Sequence, residues 1–160
     1  MSGVSFVHDV GSYVLSNLLL QARFATGDPE NDGASLDTIP NNEQELGSAL
    51  IQCDAAGTIG VGETATLAIT LQDSADDIAF ADVAADVLMG AADGADGLPA
   101  NPVISLDNAT QAGSFSFNVP LHRLRRFVRV QALWTISGAA DTVDYHCAAI
   151  CGGTVIKPVG

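Results

Sequence analysis

A chain of 160 residues that is 48% hydrophobic and 16% charged is too apolar to remain disordered and long enough to bury one core without staples. Its formal net charge of −13, from 19 Asp and Glu against 6 Lys and Arg, excludes a free nucleic-acid binder or a binder of anionic membranes, which need the opposite sign. Three cysteines, Cys53, Cys147 and Cys151, are an odd count too small for a disulfide scaffold, so free buried thiols in a reducing compartment are expected.

The N-terminus has no basic stretch followed by an apolar run and a small-residue cleavage site, which predicts a mature chain made in a cytosol. Residues 4–7 are a short apolar piece. Across residues 13–24, Tyr13, Val14, Leu18 and Phe24 approximate helical spacing, while Val14, Leu18 and Leu20 also suit a strand, and both readings stay open. Ser16, Asn17, Gln21 and Arg23 interrupt this cluster, which leaves it short of the roughly 20 apolar residues of a membrane crossing. Residues 25–45 (ATGDPENDGASLDTIPNNEQE) are dense in Gly, Pro, Asn and Asp and read as a long loop or arm.

From residue 46 the pattern becomes strand-like. Residues 47–53 lead into a turn through Gly57, Gly60 and Gly62, followed by residues 63–73. There Ala65, Leu67, Ile69 and Leu71 alternate with polar or small neighbours, the signature of a half-buried strand. Residues 78–80 and 83–89 are short apolar pieces among aspartates, the second of which also suits a short helix. A turn-rich loop at 90–102 precedes strands at 103–106 and 114–120. In the latter, Phe115, Phe117 and Val119 share a face expected to meet Trp134, and Pro120 closes the strand because it lacks an N–H.

The best-patterned stretches come last. In residues 126–137 (RFVRVQALWTIS), Val128, Val130, Ala132, Trp134 and Ile136 share one face and Phe127, Arg129, Gln131, Leu133 and Thr135 the other. In residues 142–151, Val143, Tyr145, Cys147, Ala149 and Cys151 share a face opposite His146. The short connector at 138–141 predicts an antiparallel hairpin between the two. Residues 152–160 read as a loosely held C-terminal tail. The sum is an all-β fold: a single domain over 1–160, an antiparallel sandwich, jelly roll or small barrel of about seven or eight strands.

Chemistry-bearing constellations are sparse. Cys147 and Cys151 lie four residues apart along a strand, roughly 13 Å, too far to share one ion or a disulfide, and His146 points the other way. The Asp-rich turns around Asp28 and Asp32 and around Asp93 and Asp96 lack EF-hand spacing. His8, His122 and His146 are scattered, and no nucleophile elbow, phosphate-binding glycine loop or reactive cysteine context occurs. Residues 108–110 form a glycosylation sequon, which has meaning only in a secreted chain. No catalytic residue, metal ligand or cofactor is therefore expected, and the chain reads as a non-enzyme. The basic residues are unevenly placed: Arg123, Arg125, Arg126 and Arg129 fall within seven positions, and with Phe127 they form the candidate docking surface. The alternative is that these arginines neutralise nearby carboxylates.

The run PLHRLRRFVRVQALWTISGAADTVDYHCAAICGGTV at 120–155 resembles the end of the jelly-roll capsid cement (decoration) proteins of tailed bacteriophages, of the type on Bordetella phage heads. The resemblance rests on a Pro-Leu turn, an Arg-aromatic-Val-Arg strand start, a strand ending at Gly138 and a small-residue closing strand. It implies a structural virion protein on the capsid exterior, made in the host bacterial cytoplasm. Its partners would be the major capsid protein and itself, as a homodimer or else a trimer, with no direct nucleic-acid or membrane contact. A carbohydrate- or ligand-binding jelly-roll module of a phage fibre is the alternative, with few aromatics for sugar stacking.

Overall fold

The computed structural model describes residues 15–28, 30–39, 44–83 and 103–156. Within them ten strands form: β1 (Leu15–Ala25), β2 (Asn31–Asp32), β3 (Leu36–Asp37), β4 (Gln44–Thr58), β5 (Thr64–Ser74), β6 (Ala81–Asp82), β7 (Ile104–Asp107), β8 (Ala112–Val119), β9 (Phe127–Ile136) and β10 (Thr142–Ile156). A 3-10 turn at Leu121–Arg123 is the remaining regular element among the described residues. The fold is all-β, as the alternating pattern predicts.

Hydrogen bonds sort the strands into two antiparallel sheets, β1-β10-β4-β8 and β2-β9-β5-β6, with β3 also on β9 and β7 also on β5. If β2 and β3 are taken as one strand, and β6 and β7 as another, the pairs nest: first with last, second with second-last, and so on inward. That nesting is one long antiparallel ribbon wound into two facing sheets, which selects the jelly roll among the three expected architectures.

Period-two alternation fills the space between the sheets. Ala65, Leu67, Ile69 and Leu71 of β5, Val128, Val130, Ala132, Trp134 and Ile136 of β9, and Val143, Tyr145, Cys147, Ala149 and Cys151 of β10 are all buried. Trp134 sits among aromatic rings: its centroid lies 6.5 Å from Phe24 and 6.2 Å from Tyr145, the latter edge-on. Phe117 and Val119 join the same core, while Phe115 is half-buried and stacks on Phe117 at 5.7 Å.

Three expectations need correction. The two C-terminal strands are not a hairpin. β9 pairs with β5 in one sheet and β10 pairs with β1 and β4 in the other, so the connector at 138–141 crosses between sheets. Two strands that bury one face each can sit side by side or face to face, and alternation is the same in both. Four residues reach about 13 Å, enough to span sheets packed about 10 Å apart. The second correction is the tail: Gly152 to Ile156 continue β10, paired with β4 from Gly152 opposite Ser48 to Ile156 opposite Gln44. At the short apolar piece 78–80, Ile78 is exposed in a bend, and the strand that follows is Ala81–Asp82. Asp76 organises that bend by accepting from the Ile78 and Ala79 N–H groups at 3.0 and 3.1 Å. The third correction is the partner of Trp134, whose neighbouring rings come from β1 and β10 in the opposite sheet.

Of the ambiguous stretch 13–24, the described residues from Leu15 onward form a strand with a bulge. Leu18 pairs with Ala148 and Leu20 with Cys147, so Leu19 is the extra residue, and both Leu19 and Leu20 are buried. Two consecutive inward side chains break the alternation and imitate helical spacing. The predicted loop at 25–45 falls between β1 and β4, but it is not without regular structure: β2 and β3 lie within it, paired to β9. The Gly33 N–H donates to the Val130 carbonyl at 2.8 Å, the Ala34 N–H to the Leu19 carbonyl at 2.6 Å, and Leu36 and Thr38 are buried. The expected apolar piece at 4–7, all but Val83 of the piece at 83–89 that also suits a short helix, and the loop at 90–102 lie outside the described residues.

Candidate docking surface

The arginine-rich approach to β9 begins where Pro120 ends β8. Leu121 is buried and pins the 3-10 turn, and the His122 ring nitrogen lies 3.2 Å from the Gly47 carbonyl oxygen. β9 lies between β2 and β3 on one side and β5 on the other, and its outward residues are Phe127, Arg129, Gln131, Leu133 and Thr135. This register places carboxylates from both neighbours within reach of the arginines.

Each of three arginines meets one. Arg125 closes on Asp73 of β5 with Nη2 2.5 Å from Oδ1, and its backbone N–H donates to Asp73 Oδ2 at 2.9 Å. Arg126 grips Asp37 of β3 with two bonds of 2.9 and 2.8 Å, and its guanidinium lies 5.2 Å from the Phe127 ring centroid. The Arg126 hydrogen bond holds the Asp37 carboxyl below the usual carboxylate range, although burial opposes this. Arg129 reaches Asp32 of β2 at 2.9 Å and Gln72 of β5 at 2.8 Å, and stacks 4.2 Å from the Phe80 ring centroid.

These bonds join into a belt. Gln131 donates to Asp32 at 2.8 Å, and Gln72 donates to Asp82 of β6 at 2.8 Å, so polar side chains link β2, β9, β5 and β6 across the outer face. Most of the arginine charge is therefore cancelled by the protein's own carboxylates. Arg123 is exposed and has no ion-pair partner among the described residues. Clustering of arginines is legible in sequence. Their acceptors, 50 to 100 positions away, are not.

The outer face of the other sheet carries a shallow hollow of about 640 Å³ over β1, β10 and β4, lined by Gln21, Arg23, Asp54, Ala56, Asp144 and His146 among others. Arg23 and Asp144 bridge it with bonds of 2.6 and 2.7 Å, and that pairing holds the Asp144 carboxyl below its ordinary value.

The remaining candidates are dispersed. Cys147 and Cys151 both face the core and His146 faces solvent, as strand geometry predicts. Cys147 has a different neighbour, Cys53, directly across the ladder with sulfurs 3.4 Å apart and the Tyr145 hydroxyl donating to Cys53 Sγ at 3.3 Å. The Cys53 contact and burial push the Cys147 thiol up, and burial pushes Cys151 up to about 11. Asp32 is taken by Arg129, Asp28 accepts from the Ala25 N–H at 2.7 Å, and Asp93 and Asp96 lie outside the described residues. Among the described residues no three His, Cys, Asp or Glu side chains gather to hold a metal ion, and no helix is long and apolar enough to cross a membrane.

No protein-family model and no curated protein matches the chain. Among solved structures it is similar to the VP2 subviral particle of infectious bursal disease virus, with a TM-score of 0.43 and 13% identity over 90% of this chain. The chain spans 32% of that VP2 chain.

Proposed function

We propose that the chain is a structural virion protein, a cement or decoration protein that binds the outside of a phage head and bridges major capsid protein subunits. The observation that carries this reading is the run at 120–155. The elements that give it its likeness to cement proteins fold as consecutive pieces: the Leu121–Arg123 turn, β9 with its outward arginines, and the small-residue strand β10. The belt on the β9 face supports the same reading. Its side chains are held before any partner arrives, which lowers the ordering cost of docking, and copies engaging several subunits at once would add by multivalency. The partners are the major capsid protein and a second copy of this chain, on the virion exterior, and the activity is binding without catalysis.

The test uses expanded heads that lack the protein. Saturable, stoichiometric binding with a raised capsid melting temperature is expected, and absence of binding overturns the proposal. Arg123→Glu separates docking from folding, because Arg123 has no ion-pair partner among the described residues. Its affinity is expected to fall about tenfold with the melting temperature of the free protein unchanged. Arg125→Glu would face Asp73 with a like charge and lower that melting temperature directly.

A further inference from the structure

Two sheet-to-sheet crossovers meet at one end of the jelly roll: residues 59–63 join β4 to β5, and residues 137–141 join β9 to β10. Their side chains bring two carboxylates together. Asp141 is 5% exposed; its Oδ1 accepts from the Gly60 N–H at 3.1 Å, while its Oδ2 is buried with no hydrogen-bond partner among the described residues. Glu63 comes from the other crossover and is partly exposed. A Cβ built on Gly138 would collide with both Glu63 Oε2 and Asp141 Oδ2, so the two oxygens converge on one point beside that glycine. Neither carboxylate takes part in the four ion pairs formed among the described residues.

Two carboxylates that converge where one oxygen is buried and unpaired are costly unless something positive lies between them. The third nearby side chain, Thr26, uses its hydroxyl to donate to the Gly138 carbonyl and so fixes the connector without adding charge. The geometry points to a divalent-cation site of the calcium type, with Glu63 Oε2 and Asp141 Oδ2 as its protein carboxylate ligands and water completing the shell. Calcium fits better than magnesium, because it accepts irregular oxygen sets and sheds water readily, whereas magnesium demands near-octahedral geometry. The ion would staple two crossovers that no ladder hydrogen bonds hold to one another. A site with two carboxylates and several waters belongs to the weak class, with dissociation constants of about 0.1–1 mM.

The competing occupant is a shared proton. Burial, with Asp141 beside it, pushes the Glu63 carboxyl up, so Glu63 takes a proton more readily than a free carboxylate does. Thermal unfolding of the full chain decides between them. Calcium chloride is titrated at pH 7 against sodium chloride of matched ionic strength, with the wild type, Glu63→Gln and Asp141→Asn, and repeated at pH 5 without calcium. At tenfold excess over the dissociation constant, calcium should raise the wild-type melting temperature by about 3–5 °C and leave both variants unmoved. Asp141→Asn keeps the acceptor for Gly60, and the partly exposed Glu63→Gln decides alone if Asp141→Asn does not fold. An equal rise in wild type and Glu63→Gln means non-specific screening of an acidic surface and overturns the site. No calcium effect, with a melting temperature that climbs at pH 5, means a shared proton and overturns it too.

Discussion

At the scale of single residues, the core has one conspicuous imperfection. Trp134 is 4% exposed and packed between Phe24 and Tyr145, yet its indole Nε1 has no hydrogen-bond partner among the described residues. A buried unpaired donor costs about 1–3 kcal/mol, which offsets part of what the ring contributes. Trp134→Phe removes the donor and keeps most of the apolar body, so a loss below about 1.5 kcal/mol is expected in urea unfolding. Trp134→Ala should cost about 3–5 kcal/mol, because the rigid sheets cannot collapse into the space. Equal losses in the two variants would mean that the indole nitrogen is satisfied. Alternation alone identifies Trp134 as a core residue. The orphan nitrogen is invisible in sequence, because it depends on what faces the ring from the other sheet.

At the scale of elements, the segment between β1 and β4 is held by backbone contacts on both sides. A Cβ on Gly33 would lie 2.7 Å from the Val130 carbonyl oxygen and 2.9 Å from that of Leu19, both main chain. Neither can move without disturbing a strand. Gly33→Ala is therefore expected to cost about 1–3 kcal/mol in thermal unfolding. Gly152→Ala in β10, where a Cβ would meet nothing within 4 Å, should be neutral or slightly stabilising. A neutral Gly33→Ala would show that the segment is not wedged between β1 and β9. The turn-forming composition of residues 25–45 makes the loop legible, but Gly33 reads as one turn residue among several. Its role comes from the bulge at Leu19 on one side and β9 on the other.

At the scale of the whole molecule, the excess of carboxylates sets the response to acid. Asp37 is held down by Arg126, Asp144 by Arg23, and Asp76 by the Ala79 and Ile78 N–H groups. A carboxyl whose folded pKa lies below its unfolded value adds stability above the unfolded value and loses it as pH falls through the folded one. Glu63 has the opposite sign: its raised pKa favours the folded state at low pH, and that gain is lost as pH rises through the folded value. With three groups against one, the melting temperature should fall as pH drops below the ordinary Asp value of 3.8. Asp37→Asn should be less stable than wild type at pH 7 and converge with it in acid. A constant difference across the pH range would assign the loss to packing and not to the Arg126 pair.

The amino-acid sequence by itself determined the all-β class and, for the cleanly alternating strands β5, β9 and β10, which face is buried, because side chains alternate across a strand whatever its neighbours are. That is why the inner faces of β5, β9 and β10 were readable to the residue, and why Pro120 marked the end of β8. Strand partners were decided only by tertiary structure. β9 and β10 carry matching apolar faces that would suit a hairpin as well as two facing sheets, and the jelly-roll winding places them opposite one another. The docking surface divides in the same way. The cluster Arg123, Arg125, Arg126 and Arg129 is plain in the chain, but Asp32, Asp37 and Asp73 reach it only because β2, β3 and β5 flank β9. The Glu63–Asp141 pair depends on two crossovers that meet at one end of the fold, a juxtaposition that no local pattern encodes.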